Sequence, residues 1–211
     1  MSFDVSGFYF ITDSSLTKHG ALKDAEDAIR GGAKVVQYRE KNKPFGDMVE
    51  EARALLALCR KSGVLFIVND SLELALEVSA DGLHIGPHDM SLHDARKAFD
   101  GIIGISCGSL ADVKEAEKNG ADYVAASPMF FTCTKKDIGQ PLGLEGIALF
   151  RKSTELPIVA IGGITRKNVR EVMLAGADSV CAISATVGTN DVQASVKWFV
   201  EAIAAAQKVH N

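Results

Sequence analysis

Eight short apolar runs recur along this chain, and helical patterns fall between them. The runs are Phe8 to Ile11, Val35 to Arg39, Leu65 to Val68, Gly82 to Ile85, Ile102 to Ile105, Tyr123 to Ala126, Ile158 to Ile161 and Val180 to Ile183. The spacing predicts helices over Phe45 to Cys59, Leu110 to Lys118, Arg166 to Leu174 and Val192 to Ala205, among others. A continuous apolar run suits a strand buried on both faces, and strands alternating with helices read as parallel βαβ units. Eight such strands are the number that closes a TIM (β/α)8 barrel. Alternation alone also suits a doubly wound open sheet.

A weak internal repeat favours the barrel. Gly32-Ala33-Lys34-Val35, Ser79-Ala80-Asp81-Gly82, Gly120-Ala121-Asp122-Tyr123 and Gly176-Ala177-Asp178-Ser179 all precede strands. Three of them put Gly where a helix ends with positive φ, and the Ala beside it lets helix and sheet approach closely. The spacing fits a barrel of four similar quarters, each of two βα units. The expectation is one α/β domain over residues 1–211, with eight parallel strands each followed by a helix.

Composition bounds the function. The 211 residues are 47% hydrophobic and 24% charged, as expected of a globular chain with one sizeable core. A net charge of -4 argues against a general nucleic-acid binder. No apolar stretch is long enough to span a membrane, and Met1-Ser2-Phe3-Asp4 lacks the regions of a signal peptide. Cys59, Cys107, Cys133 and Cys181 show no CxxC spacing, which predicts reduced thiols in a cytoplasmic protein.

In a barrel the chemistry gathers where strands end and βα loops begin. At the second strand, Gln37, Arg39 and Lys41 alternate onto one face. Cations are rarely buried unpaired, so this face should meet an anionic ligand or bound carboxylates. Strand three ends Val68-Asn69-Asp70-Ser71, and strand four leads into Gly86-Pro87-His88-Asp89. Two carboxylates, Asp70 and Asp89, then converge from neighbouring loops, as suits Mg²⁺, which takes further oxygens from water and substrate phosphates. The plain alternative is that Asp70 or Ser71, and Asp89 or Ser91, cap the next helix.

Strand five brings Ser106 to the rim, with Ser109 the better N-cap. After strand six, the polar stretch from Pro128 to Asp137 carries Thr132, Thr134, Lys135 and Lys136, which suits a binding loop for phosphate. Gly162-Gly163-Ile164 follows strand seven and Ile183-Ser184-Ala185 ends strand eight, where barrels commonly bind phosphate. His84 reads as a satisfied core histidine. Cys107 and Cys133 fall near the rim without a visible base to activate them.

Taken in order, these segments resemble the thiamine phosphate synthase family. The resemblance rests on Tyr9-Phe10-Ile11-Thr12-Asp13, Gln37-Tyr38-Arg39-Glu40-Lys41, Val68-Asn69-Asp70, Asp81-Gly82-Leu83-His84-Ile85-Gly86, Asp89 and Ser106. It continues through Gly120-Ala121-Asp122-Tyr123, Thr132-Cys133-Thr134-Lys135, Ala160-Ile161-Gly162-Gly163-Ile164 and Ile183-Ser184-Ala185. It implies a transferase that joins an aminopyrimidine methyl pyrophosphate to a thiazole monophosphate, giving thiamine phosphate and pyrophosphate. By that resemblance Gln37, Arg39, Lys41, Asn69, Ser106 and Lys135 address the pyrimidine pyrophosphate, with Arg39, Lys41, Ser106 and Lys135 as its catalytic groups. By the same resemblance Asp70 and Asp89 would hold Mg²⁺, and Thr132, Thr134, Gly163, Ile183 and Ser184 would hold the thiazole phosphate. The partners implied are small-molecule substrates, with no nucleic acid or membrane; a homo-oligomer is compatible.

The chain departs from the family pattern at Pro87, where Gln is frequent, and at Cys107-Gly108, where the second position is usually His. It departs again at Ser127, a common Gly, and Phe131, a common Pro. The related thiazole tautomerases generally lack the paired aspartates and place a His where this chain has Pro128. Another sugar-phosphate isomerase barrel, or a non-catalytic thiazole-phosphate binder with a regulatory role, are the remaining alternatives.

Overall fold

The computed structural model describes residues 4–132 and 139–208. Eight strands alternate with eight helices among them. The strands are β1 (Gly7–Ile11), β2 (Val35–Tyr38), β3 (Leu65–Asn69), β4 (Gly82–Ile85), β5 (Ile102–Cys107), β6 (Tyr123–Ala126), β7 (Ile158–Ile161) and β8 (Ser179–Cys181). The helices are α1 (Ala21–Arg30), α2 (Phe45–Ser62), α3 (Leu72–Val78), α4 (Leu92–Ala98), α5 (Leu110–Lys118), α6 (Gly143–Ser153), α7 (Val169–Leu174) and α8 (Val192–Gln207). Each strand pairs in parallel with the next, and β8 returns to β1 through Gly7↔Ser179 and Phe8↔Val180, so the sheet is a closed barrel. Closure excludes the doubly wound alternative.

The quarter repeat has a hydrogen-bonding cause. The N–H groups of Gly32, Ser79, Gly120 and Gly176 bond to Ile29, Leu76, Glu117 and Met173 carbonyls. The following Ala33, Ala80, Ala121 and Ala177 reach back to Ala28, Ala75, Ala116 and Val172. These paired bonds end helices in the Schellman manner, which needs a left-handed residue. Gly32, Gly120 and Gly176 have φ of 100°, 82° and 118°, and Ser79 takes the same role at 55°. The next residue then docks on the sheet. Asp81, Asp122 and Asp178 each accept from a strand N–H through the carboxylate, at Phe66 (2.9 Å), Ile103 (2.7 Å) and Ile158 (2.7 Å). Their own N–H groups donate to the carbonyls of the same three residues.

Side chains segregate by strand phase. Phe8 and Phe10 point out to the helices and join Leu55, Leu74, Leu83, Phe150 and Phe199 in the larger core. Tyr9 and Ile11 point in, where they meet Val5, Val35, Ile67, Tyr123, Ala125, Val159 and Cys181. Each large apolar side chain so buried contributes about 1.5–3 kcal/mol.

Several boundaries shift by one to three residues, β5 running on to Cys107 and α2 to Ser62, and two shifts have a visible local cause. β8 stops at Cys181 because the chain turns helically just beyond it, with Thr186 and Val187 N–H donating to the Ile183 carbonyl. α7 begins at Val169 because Thr165 N–H is taken by the Asn168 side chain at 2.7 Å, which holds 165–168 as a turn.

Candidate active site

The helix caps decide what the acidic residues do. Ser71 accepts from Leu74 N–H and Ser91 from Asp94 N–H, so serines cap α3 and α4. Ser109 caps α5 in the same way. Asp70 and Asp89 are therefore not needed as caps. Asp70 has φ 62°, and Asp70 and Ser79 are the two non-glycine residues with positive φ among the described residues. Such conformations cluster at functional sites, where surrounding bonds hold them. Here the Asp70 N–H donates to the His84 carbonyl at 2.8 Å, fixing the turn at the end of β3.

The two carboxylates act on one another. Partial burial raises the Asp89 carboxyl above its ordinary range, and the adjacent Asp70 carboxylate raises it further, against the Gly86 N–H that donates to it at 2.7 Å. Lys41 pairs with Asp70, and the Asn69 amide donates to Asp70 at 2.8 Å. Paired carboxylates with oxygens to spare are a donor set suited to Mg²⁺, which completes its shell with water and phosphate oxygens. No group of three or more His, Cys, Asp or Glu is placed to hold a metal ion among the described residues, so the described carboxylates would supply only part of such a shell.

A cavity opens at the C-terminal end of the barrel beside this pair. Gln37, Arg39, Asn69, Ser106, Thr132, Gly163, Ile183 and Ser184 all line it. A second groove, carrying Asp89, adjoins it and shares Ser106. The expected face of β2 is real but not uniform. Gln37 is 2% exposed and lies deep in the barrel, whereas Arg39 and Lys41 follow the end of the strand. Arg39 is held by Asp13 at 3.0 Å, and its backbone N–H by the Thr12 hydroxyl at 2.9 Å. Glu40 is turned away and accepts from Ser14 and from the N–H groups of Lys41 and Asn42. Thr134 and Lys135 lie outside the described residues.

The opposite wall offers backbone donors. Gly162 and Gly163 have φ of 101° and 66°, and a Cβ on Gly163 would come within 2.7 Å of the Phe131 carbonyl oxygen. Only glycine lets β7's loop lie so close to the segment after β6. Met129 and Phe130 N–H groups bond to Ile161 and Gly162 carbonyls and tie the two together. Among the described residues, the N–H groups of Gly163, Ile164, Ser184 and Ala185 meet no acceptor. Unpaired N–H groups on the loops after β7 and β8, at the start of a short helical turn, are suited to accept an anion.

Between these walls lies a floor that sequence reasoning did not foresee. Gln37 Nε2 donates to Tyr9 Oη at 2.9 Å, and Tyr9 Oη lies 2.8 Å from Tyr123 Oη. Tyr123 Oη is 2.9 Å from His84 Nδ1, and His84 Nε2 is 3.0 Å from Ser106 Oγ. Burial pushes both phenols up, so they stay protonated at any ordinary pH. Tyr9 and Tyr123 look like core aromatics in sequence. One signal was present: Gly104 interrupts β5 directly opposite Tyr123, and glycine within a strand marks close approach by another group.

Comparison with known proteins identifies the family. The sequence model of the thiamine monophosphate synthase family matches residues 8–186. The chain is 45% identical to the thiamine-phosphate synthase of Methanosarcina barkeri over 95% of its own length and 92% of that protein's. It is 44% identical to that of Chloroflexus aurantiacus, over 90% and 88%. A solved thiamine phosphate pyrophosphorylase from Pyrococcus furiosus superposes with a TM-score of 0.90 at 37% identity, covering 96% of this chain and 98% of that one.

Proposed function

The chain belongs to the thiamine monophosphate synthase family, and from that premise we propose that it is a transferase, acting as one barrel domain, that joins an aminopyrimidine methyl pyrophosphate to a thiazole monophosphate or its carboxylated form. The products are thiamine phosphate and pyrophosphate. The observation that supports this reading is a cavity and its adjoining groove that together offer two sets of anion-binding groups of different kinds. One is built from Arg39 and Lys41 beside the Asp70–Asp89 pair. The other is built from free backbone N–H groups after β7 and β8. A reaction with one phosphorylated electrophile and one phosphorylated nucleophile requires such a pair, whereas an isomerase acting on one monophosphate needs only one anion site.

The residues then divide by task. The electron-rich pyrimidine expels pyrophosphate, the C–O electron pair leaving with the oxygen. The thiazole nitrogen donates its lone pair to the methylene cation, forming the C–N bond. Little proton transfer is needed, so catalysis lies in charge neutralisation and alignment. Arg39, anchored by Asp13, and Lys41, half-exposed and able to turn from Asp70 to the ligand, meet the pyrophosphate. Asn69, Ser106 and Lys135 add donors to it, and Gln37 faces the pyrimidine. Thr132, Thr134, Gly163, Ile183 and Ser184 hold the thiazole phosphate in line. Mg²⁺ held by Asp70 and Asp89 would draw charge from the pyrophosphate oxygens when bound.

The protein is expected in the cytoplasm, and no described helix is long and apolar enough to cross a membrane. The test is direct: purified protein with both substrates and Mg²⁺ should form thiamine phosphate, and folded protein yielding none would refute the reading. Asp70→Ala should abolish Mg²⁺-dependent turnover while calorimetry shows thiazole phosphate binding within about twofold of wild type, since an effect below ~0.5 kcal/mol is expected for an uncoupled site. Equal loss of both would contradict two separate sites.

A further inference from the structure

The five side chains on the cavity floor form one continuous hydrogen-bonded line across the barrel, from Gln37 on one wall to Ser106 on the other. Each phenol has one proton, and a neutral imidazole has one. These counts leave the line little freedom. With Gln37 Nε2 pointing inward, Tyr9 accepts from Gln37 and must give its own proton to Tyr123. Tyr123 then gives its proton to His84 Nδ1. His84 carries its proton on Nε2 and donates it to Ser106 Oγ. Every buried proton has an acceptor in this direction. In the opposite direction Tyr9 would accept from both neighbours and its own proton would be stranded, at a residue 1% exposed. The line reverses only if the Gln37 amide turns to offer Oε1 inward.

We propose that Tyr9, Tyr123 and His84 are positioning residues that lock complementary hydrogen-bond polarity onto the two ends of the cavity, an acceptor at Gln37 and a donor at Ser106. At one end Gln37 Oε1 is left over. It has no partner in the protein among the described residues, and it is not a sealed orphan, because Asp24 is the one described side chain with buried unpaired oxygens. Oε1 therefore faces the cavity that Gln37 lines, as an acceptor. At the other end Ser106 Oγ already accepts from His84, so its own proton points away as a donor. An amino-bearing heterocycle joined to an anionic tail fits that polarity: N–H at Gln37 and phosphate oxygen at Ser106. What the ends hold rests on the function proposed above; the relay itself does not.

The substrate's amino group and its leaving group are thereby read by one device. A ligand that presents an acceptor to Gln37 would turn the amide, reverse the line, and point the Ser106 hydroxyl back at His84. The leaving group would then lose a donor some way from the wrong contact. Specificity at the ring thus reaches the reacting end without a moving loop.

The measurement is the tautomer of His84, read from ¹⁵N shifts of histidine-labelled full-length protein, with the signal assigned by its loss in His84→Asn. Wild type should show the Nε2–H form. Gln37→Glu keeps the shape, but an ionised carboxylate only accepts, so His84 should switch to the Nδ1–H form in a pH titration that ionises that carboxyl. Adding Tyr9→Phe to Gln37→Glu should cancel the switch, although Tyr9 does not touch His84. A His84 tautomer unmoved by Gln37→Glu over the whole range, or a switch that survives Tyr9→Phe, would overturn the proposal. Should Gln37→Glu not fold, wild type alone decides, since an Nδ1–H form there is incompatible with the line as drawn. If the enzyme is active, Tyr9→Phe should raise KM for the pyrimidine substrate about five- to tenfold, the scale of one misdirected buried hydrogen bond, with KM for the thiazole phosphate unchanged. No product with any variant, but a tautomer that switches as stated, would sink the function and leave the relay standing.

Discussion

Gly104→Ala is a substitution of one methyl group, and the structure makes it severe. The added Cβ would fall on Cζ, Cε1 and Cε2 of Tyr123, far inside the ~3.5 Å of ordinary carbon contact. The ring cannot retreat easily. It is fully buried, stacks on His84 at 5.6 Å between centroids, and holds hydrogen bonds to Tyr9 and His84. Overpacking of this kind costs about 1–3 kcal/mol. Displacing the phenol adds about 1 kcal/mol for each hydrogen bond lost. The expected total is about 3–5 kcal/mol, or a fall in Tm of about 6–20 °C for a chain of this size. Calorimetry or urea unfolding measures it. The double variant Gly104→Ala/Tyr123→Leu should be less destabilised than the two single changes combined, because the clash is gone once the ring is shortened. A Tm within about 2 °C of wild type for Gly104→Ala, or strict additivity in the double variant, would refute the packing argument.

Asp24 is 1% exposed with both carboxylate oxygens unpaired, and burial raises its carboxyl above the ordinary range despite the nearby Thr17 and His19. The native state then holds a proton that the unfolded chain, with its carboxyl near ~3.9, has lost, so stability falls as pH rises through that window. Asp24→Asn should therefore be more stable than wild type at pH 8, with the advantage vanishing toward pH 3 in parallel urea titrations. Burial pushes the Cys59 and Cys107 thiols up to about 12 and Cys181 higher still, so none of the three should be alkylated by iodoacetamide at pH 8 in native protein, as peptide mass spectrometry would show. Asp13→Asn should free the Arg39 guanidinium and raise KM for the pyrophosphate substrate about tenfold at constant KM for the other; an unchanged value would mean that Arg39 needs no anchor.

The barrel was legible because its evidence is periodic. Eight runs, four related helix ends and the glycines at three of them are written in the order of residues. The rim was legible for a similar reason: a residue just past a strand must lie at the barrel's C-terminal end whatever its side chain does. That reasoning reached Asp70 and Asp89 without separating ligand from cap. The hydroxyl bonds of Ser71 and Ser91 remove the cap reading for both. The floor was illegible because strands buried on both faces lose the alternation that tells inside from outside. Tyr9 and Phe10 are neighbours of like character, yet one enters the polar line and the other packs under the helices. His84 reads correctly as satisfied, but its partners come from β5 and β6, and no local spacing announces them. Asp13 belonged to the family resemblance, but its hold on Arg39 depends on the pairing of β1 with β2.

The aspartates that bind strand N–H groups sit at the N-terminal ends of β4, β6 and β8, a full strand length from the cavity. Inheritance can act on the two ends separately. A change among Asp81, Asp122 and Asp178 alters how firmly the staves are joined and leaves the rim's chemistry in place. A change in the loops beyond Asp70, Ser106 or Gly163 reshapes the rim of the cavity and leaves the joinery alone. Loops grafted from another phosphate-binding barrel could therefore be tried on this base one quarter at a time.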